Sequence, residues 1–185
     1  SLYREGHSSR SDELGEWPRG LPSRCSPFTL HLMSTKPQLK ALKNGMKAIF
    51  VPQKGATSTT VMVFTKVGSR YESQEINGAS HFIEHLMFKG TKRRPTTLDV
   101  SKELDRYGAE YNAFTSKDLT AYYVKMDATQ TKLAIDLLHD MIFHPKYDAK
   151  EIDRERGVII EEINMYEDNP RMHIDDIMEE ALFQN

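Results

Sequence analysis

Residues 78–90 read Gly-Ala-Ser-His-Phe-Ile-Glu-His-Leu-Met-Phe-Lys-Gly, and this run constrains the chain more than any other. His81 and His85 stand four apart with Glu84 between them. On a helix, residues four apart share a face. At 100° per residue the two imidazoles lie about 40° apart, Glu84 falls to one side, and Phe82, Ile83, Leu86 and Met87 fill the opposite arc. The segment is therefore predicted as a helix over Gly78–Phe88, with one face to bury and another carrying imidazole and carboxylate. Random shuffling of this composition gives about 0.02 such His-x-x-Glu-His patterns. Two imidazoles so placed can grip one Zn²⁺ from the same side, and Glu84 can take a proton from an activated water. The competing reading is a surface amphipathic helix whose polar face happens to hold two histidines.

Two histidines leave a catalytic zinc site short of its usual three protein ligands. The stretch Ala149–Glu167 supplies a candidate helix. Ile152, Ile159, Ile163 and Tyr166 form a stripe on it that is expected to face the core. Glu161 points away from that stripe, towards water, whereas Glu162 lies on its flank and Glu155 falls within about 20° of Glu162. Stacked carboxylates on the flank of a buried helix need partners. Glu162 is assigned as the third metal ligand. Glu155 is assigned as a carboxylate that orients a ligand imidazole or the water and so serves catalysis alongside Glu84. The alternative for Glu155 is a salt bridge with Arg154 or Arg156.

With these residues in place, the chain from Leu39 to Asn185 resembles the metallopeptidase family of pitrilysin, insulysin and the mitochondrial processing peptidase, whose motif is the inverted zincin His-x-x-Glu-His. The family pattern has a zinc-binding glutamate at a spacing matched by Glu162, 77 positions after His85, and a further glutamate seven residues earlier, matched by Glu155. The stretch Gly108–Ser116 resembles the family's strand beside the metal. The resemblance implies that Asn112, Ala113 and Phe114 bind the substrate backbone. Lys89-Gly90-Thr91-Lys92-Arg93-Arg94-Pro95, directly after the motif, is also typical. The resemblance further implies a second homologous domain, or a partner subunit, closing a chamber around a peptide or unfolded-protein substrate. The chain stops at Ala181-Leu182-Phe183-Gln184-Asn185 inside an apolar helical pattern, and it is read as an N-terminal piece whose peptidase domain is incomplete at its C-terminus.

Composition sets the remaining bounds. A hydrophobic fraction of 38% and a charged fraction of 28% describe an ordinary globular domain. A net charge of −2 gives no reason to expect a nucleic acid partner. No apolar run approaches the roughly 20 residues of a membrane span. One cysteine, Cys25, precludes an internal disulfide. Residues 1–36 are rich in Ser, Pro and Gly with little periodicity and are expected to be a disordered extension, leaving 37–185 as the zinc-binding peptidase domain. Arg4, Arg10, Arg19 and Arg24 suggest a transit peptide, but Glu5, Asp12, Glu13 and Glu16 argue against one. The expected setting is cytoplasmic, with mitochondrial and periplasmic settings left open.

The predicted elements are a hairpin turning at Asn44-Gly45 and a strand over Thr59–Val67. After the motif helix come a helix over Thr97–Tyr107, strands over Glu110–Thr115 and Leu119–Met126, and helices over Thr129–Phe143 and Ala149–Glu167. A last helix starts at Asn169-Pro170. This order implies an α+β fold, a mixed or antiparallel sheet with helices mainly on one face. His139, His144 and His173 are expected to be surface or partly packed residues. The function read from all this is zinc-dependent endopeptidase activity. Its rivals are a non-catalytic scaffold or assembly subunit and a peptide-binding module with a structural metal.

Overall fold

The computed structural model describes residues 36–183, so the expectations for the first 35 residues lie outside the described region. The chain divides into two compact units, one ending at Lys54 and the other beginning at Gly55. In the first, β1 (Gln38–Ala41) pairs antiparallel with β2 (Lys47–Phe50), with Leu39 opposite Ile49. The turn between them works because Gly45 takes φ 86°, a left-handed conformation that costs glycine little. The Asn44 side-chain oxygen accepts from the Met46 amide at 3.1 Å, and the Leu42 amide donates to Met46 at 2.8 Å.

The second unit is built on a three-stranded sheet in the order β3 (Ser58–Thr65), β5 (Thr120–Asp127), β4 (Glu110–Thr115). Both pairings are antiparallel, with Val61 and Tyr111 opposite Val124, and Val63 and Ala113 opposite Tyr122. Strand alternation puts Tyr122, Val124 and Met126 of the central strand on one face, where all three are buried. Helices cover that face. Three more follow the motif helix α1 (Ala79–Met87) along the chain: α2 (Thr97–Asp105), α3 (Thr131–Phe143) and α4 (Ala149–Glu167). Helix α2 contributes Val100 and Leu104, spaced four apart. Helix α3 contributes Ala134, Leu137, Leu138 and Met141, a helical i, i+3, i+4, i+7 stripe, and α1 contributes Met87. The opposite face carries Phe64 and Phe114, both exposed and both in register with Ala121. The fold is α+β with helices on one sheet face, and all pairings among the described strands are antiparallel.

The basic run after α1 is not wholly in solvent: Lys92 and Arg93 are exposed, but Arg94 is not. Arg94 is 6% exposed and reaches Asp140 at 2.7 Å, Glu103 at 3.0 Å and Asp136 at 3.1 Å. Thr91 donates to the same Asp140 oxygen at 2.6 Å. A buried guanidinium is tolerable only with such pairing, and here the fork of donors spans α2 and α3. Arg93, hydrogen-bonded to Asp136, is the main reason that the Asp136 carboxyl is held down to about 2. Burial pushes the Asp140 carboxyl up, but Thr91 and Arg94 together hold it below its ordinary value.

Helix α4 starts where Asp148 accepts from the Lys150 amide at 3.0 Å. The expected burial of its isoleucine stripe is not what the structure shows. Glu155 is the one buried residue of the helix. Ile152 and Ile159 are half-buried, while Ile163 is 50% and Tyr166 43% exposed. The helix packs on α1 through its carboxylate flank, and no described residue covers the stripe's outer end. Helix α5 (Pro170–Phe183) follows, with Asn169 accepting from the Arg171 amide at 3.1 Å. Ile174, Ile177, Met178 and Leu182 of α5 are also exposed. No helix among the described residues is long and apolar enough to cross a membrane.

Candidate metal centre

Three side chains converge where α1 meets α4. His85 Nε2 lies 3.1 Å from His81 Nε2 and 3.4 Å from Glu162 Oε2, and His81 Nε2 lies 3.7 Å from that same oxygen. Donor atoms around a tetrahedral zinc with bonds of about 2.0–2.1 Å stand about 3.3–3.4 Å apart. The observed triangle brackets that spacing, so the residues fit a zinc ion. All three residues are half-buried, a setting in which a cation can be reached by substrate. The donor set of two imidazoles and a carboxylate is one that catalytic zinc uses, with one position left for water.

A second set of contacts orients the first. His85 Nδ1 is 3.0 Å from Glu155 Oε1, and Lys89 Nζ is 2.6 Å from Glu155 Oε2. A carboxylate only accepts, so the proton on His85 sits at Nδ1 and its Nε2 lone pair faces His81 and Glu162. Glu155 is 2% exposed. Burial pushes its carboxyl up, but the hydrogen bonds from Lys89 and His85 outweigh that and hold it below its usual value. Arg154 and Arg156 pair instead with Glu151 and Asp153, so neither is the partner of Glu155.

Glu84 projects from α1 towards the end of β4, where Thr115 Oγ1 donates to its Oε2 at 2.5 Å. Thr115 is also 3.2 Å from Thr120 Oγ1 on the central strand. Beneath them the buried Tyr122 phenol is pushed up, first by burial and then by the charge of Glu84. Glu161, one position before Glu162, is exposed. His81, Glu162, Thr115, Lys117, Tyr166 and His173 line a cavity of about 690 Å³. Ser69 and Ser116 also line it, and Gly68 stands just before Ser69. A Cβ on Gly68 would stand 2.3 Å from the Ser116 carbonyl oxygen, so only glycine lets the chain lie against the 116–118 turn. Arg70 then donates its amide to Lys117 at 2.9 Å.

Among the described strands β4 lies at the sheet edge, with β5 as its one strand partner. Ala113 turns to the core, while Asn112 and Phe114 point to the exposed face. The rings of His139 and His144 lie 5.3 Å apart, tilted by 53°, and neither belongs to the histidine–glutamate cluster. Lys89, Thr115 and Tyr122 escaped the sequence reading as site residues, as did the place of His173 in the cavity wall. Lys89 left a signal, since it stands four residues after His85, whereas Thr115 left none beyond its position at a strand end.

A family model for the insulinase family of peptidases, family M16, matches residues 48–185. The chain belongs to this family. It is 39% identical over 143 residues to the uncharacterized zinc protease YmxG of Bacillus subtilis, covering 77% of this chain and 35% of that protein. It is 34% identical over 185 residues to the human mitochondrial-processing peptidase subunit beta, covering 100% of this chain and 37% of that subunit. Among solved structures, a protease from Helicobacter pylori superposes with a TM-score of 0.70 at 30% identity, over 75% of this chain and 34% of that one. The chain thus spans about a third of the length of these relatives.

Proposed function

We propose that this chain carries the zinc-binding, catalytic part of a metalloendopeptidase that hydrolyses extended peptides or unfolded segments. The observation that carries the reading is the convergence of His81, His85 and Glu162 within 3.1–3.7 Å, with Glu84 on the same helix as the histidines. Bound zinc supplies Lewis acidity and lowers the pKa of water. His81, His85 and Glu162 hold the ion, and Glu155 keeps the His85 lone pair aimed at it. Glu84 takes the proton from the attacking water and later delivers it to the leaving amine. Thr115 occupies one oxygen of Glu84 and leaves the other to carry that proton. Substrate adds as a strand along the outer edge of β4 at Asn112, Ala113 and Phe114, so that affinity comes largely from backbone hydrogen bonds.

The proposed partner is a second homologous domain or a partner subunit that closes a chamber over the cavity. The exposed apolar residues of α4 and α5 favour it, since surfaces of this kind mark interaction sites. A non-catalytic scaffold is the rival. The test is metal analysis and hydrolysis of an unstructured peptide by the purified protein together with its partner half, with and without chelator. Hydrolysis should need the metal. Glu84→Gln should cut it by about 10² or more while the metal stays bound. Hydrolysis indifferent to chelator would refute the reading. Bound metal with no hydrolysis would favour the scaffold.

A further inference from the structure

Helix α1 begins badly for a helix that must hold a metal ligand. Its N-cap is Gly78 at φ 90°, and no side chain of that residue can cap it. The first intrahelical bond is Phe82 N–H to the Gly78 carbonyl, so the amides from Gly78 to His81 have no partner within the helix. His81, a proposed ligand, stands in that unsupported first turn. Glu72, six residues before the cap, supplies the missing acceptors. Its Oε2 accepts from the Gly78 amide at 2.7 Å and its Oε1 from the Ser80 amide at 2.6 Å. One carboxylate thus spans the helix entry, and its negative charge meets the positive end of the helix dipole. Ser80 is buried, and Glu72 lines the same cavity as His81 and Glu162. A serine, threonine or aspartate cap within the motif itself would serve the same amides only from the helix's own chain. Glu72 instead ties the helix to the segment leading into it, and that segment is fixed by Gly68 and Arg70 against the turn that follows β4.

We propose that Glu72 is a positioning residue for the metal centre: by clamping the first turn of α1 it fixes where His81 stands relative to His85 and Glu162. This rests on the reading of those three residues as metal ligands. The clamp acts on one ligand selectively. Glu84 and His85 are held from outside the helix by Thr115 and Glu155, so loosening of the first turn bears mainly on His81.

The test is cobalt(II) titration of the purified protein, followed by visible absorption, with Glu72→Ala and Glu72→Gln beside wild type. Half-saturation for Glu72→Ala should require roughly 10- to 100-fold more cobalt, the range for groups that orient ligands. Glu72→Gln keeps an acceptor oxygen and should fall between the two. In a His81→Ala background, Glu72→Ala should cause no further loss, because the ligand it positions is gone. A merely structural Glu72 would lower the melting temperature in both backgrounds and leave cobalt affinity of the folded protein unchanged. Affinity within twofold of wild type, or an equal loss in both backgrounds, overturns the proposal. A wild-type protein that takes up neither cobalt nor zinc overturns the metal reading itself.

Discussion

Replacing Glu155 should separate the orientation of a ligand from the ligand itself. In Glu155→Ala the His85 Nδ1–H loses its acceptor at 3.0 Å and Lys89 loses its partner at 2.6 Å. The imidazole can then adopt the other tautomer or turn, and metal affinity should fall roughly 10- to 100-fold, equivalent to about 1.4–2.7 kcal/mol. Glu155→Gln should cost less. Its amide oxygen can still accept from His85, and Lys89, 25% exposed at its side chain, can turn to water. The loss there is one charge-assisted hydrogen bond, softened by that exposure, so a stability change of about 1–2 kcal/mol and a metal-affinity change near the lower bound are expected. The assay is competition with a chromophoric chelator for affinity and urea unfolding of the metal-stripped protein for stability. If both variants bind the metal as tightly as wild type, Glu155 does not orient His85. If the two lose affinity equally, the carboxylate's charge is what matters and the tautomer argument fails.

Three further outcomes follow from the geometry. Glu162→Gln should lose more than about 100-fold in metal affinity, beyond what outer contacts explain, while Glu161→Gln stays near wild type in the same chelator assay. Gly68→Ala should destabilise by roughly 1–3 kcal/mol in urea unfolding, because its Cβ would collide with the Ser116 carbonyl and push the cavity wall outward. The Asp136 carboxyl is depressed to about 2 in the fold, so its contribution is present above the unfolded value near 4 and is lost as pH falls towards about 2. Over that window wild type should lose urea stability more steeply than Asp136→Asn, and equal slopes would refute the role of the Arg93 and Arg94 pairing.

The elements that sequence exposed were those whose signals are local. Asn44-Gly45 announced a hairpin because few other pairs accept its backbone angles. The helical wheel put Glu155 and Glu162 on one flank, and the structure brings both to α1. What the wheel could not say is which flank would be covered. The isoleucine stripe looked like the buried side, yet the helix packs through its carboxylates, since two histidines and a lysine across the interface give those carboxylates partners. Nothing within its basic run marked Arg94 as buried, because its three acidic neighbours come from helices that the run itself does not announce. Glu72 precedes Gly78 by six residues, outside the spacing of a capping box, so no periodicity pointed to it.

His85 and Glu162 are 77 positions apart, with α2, β4, β5 and α3 between them. Closing a flexible loop of that length costs about 4 kcal/mol before any contact rewards it. The histidine pair is local and can form with its helix, but the third donor arrives only when the sheet and α3 have brought α4 back to α1. Synthesis runs from the N-terminus, so the motif leaves the ribosome well before its closing glutamate does. The proposed hydrolytic centre is therefore among the last parts of this unit to assemble, and a half-folded chain carries the motif without the means to cut its neighbours.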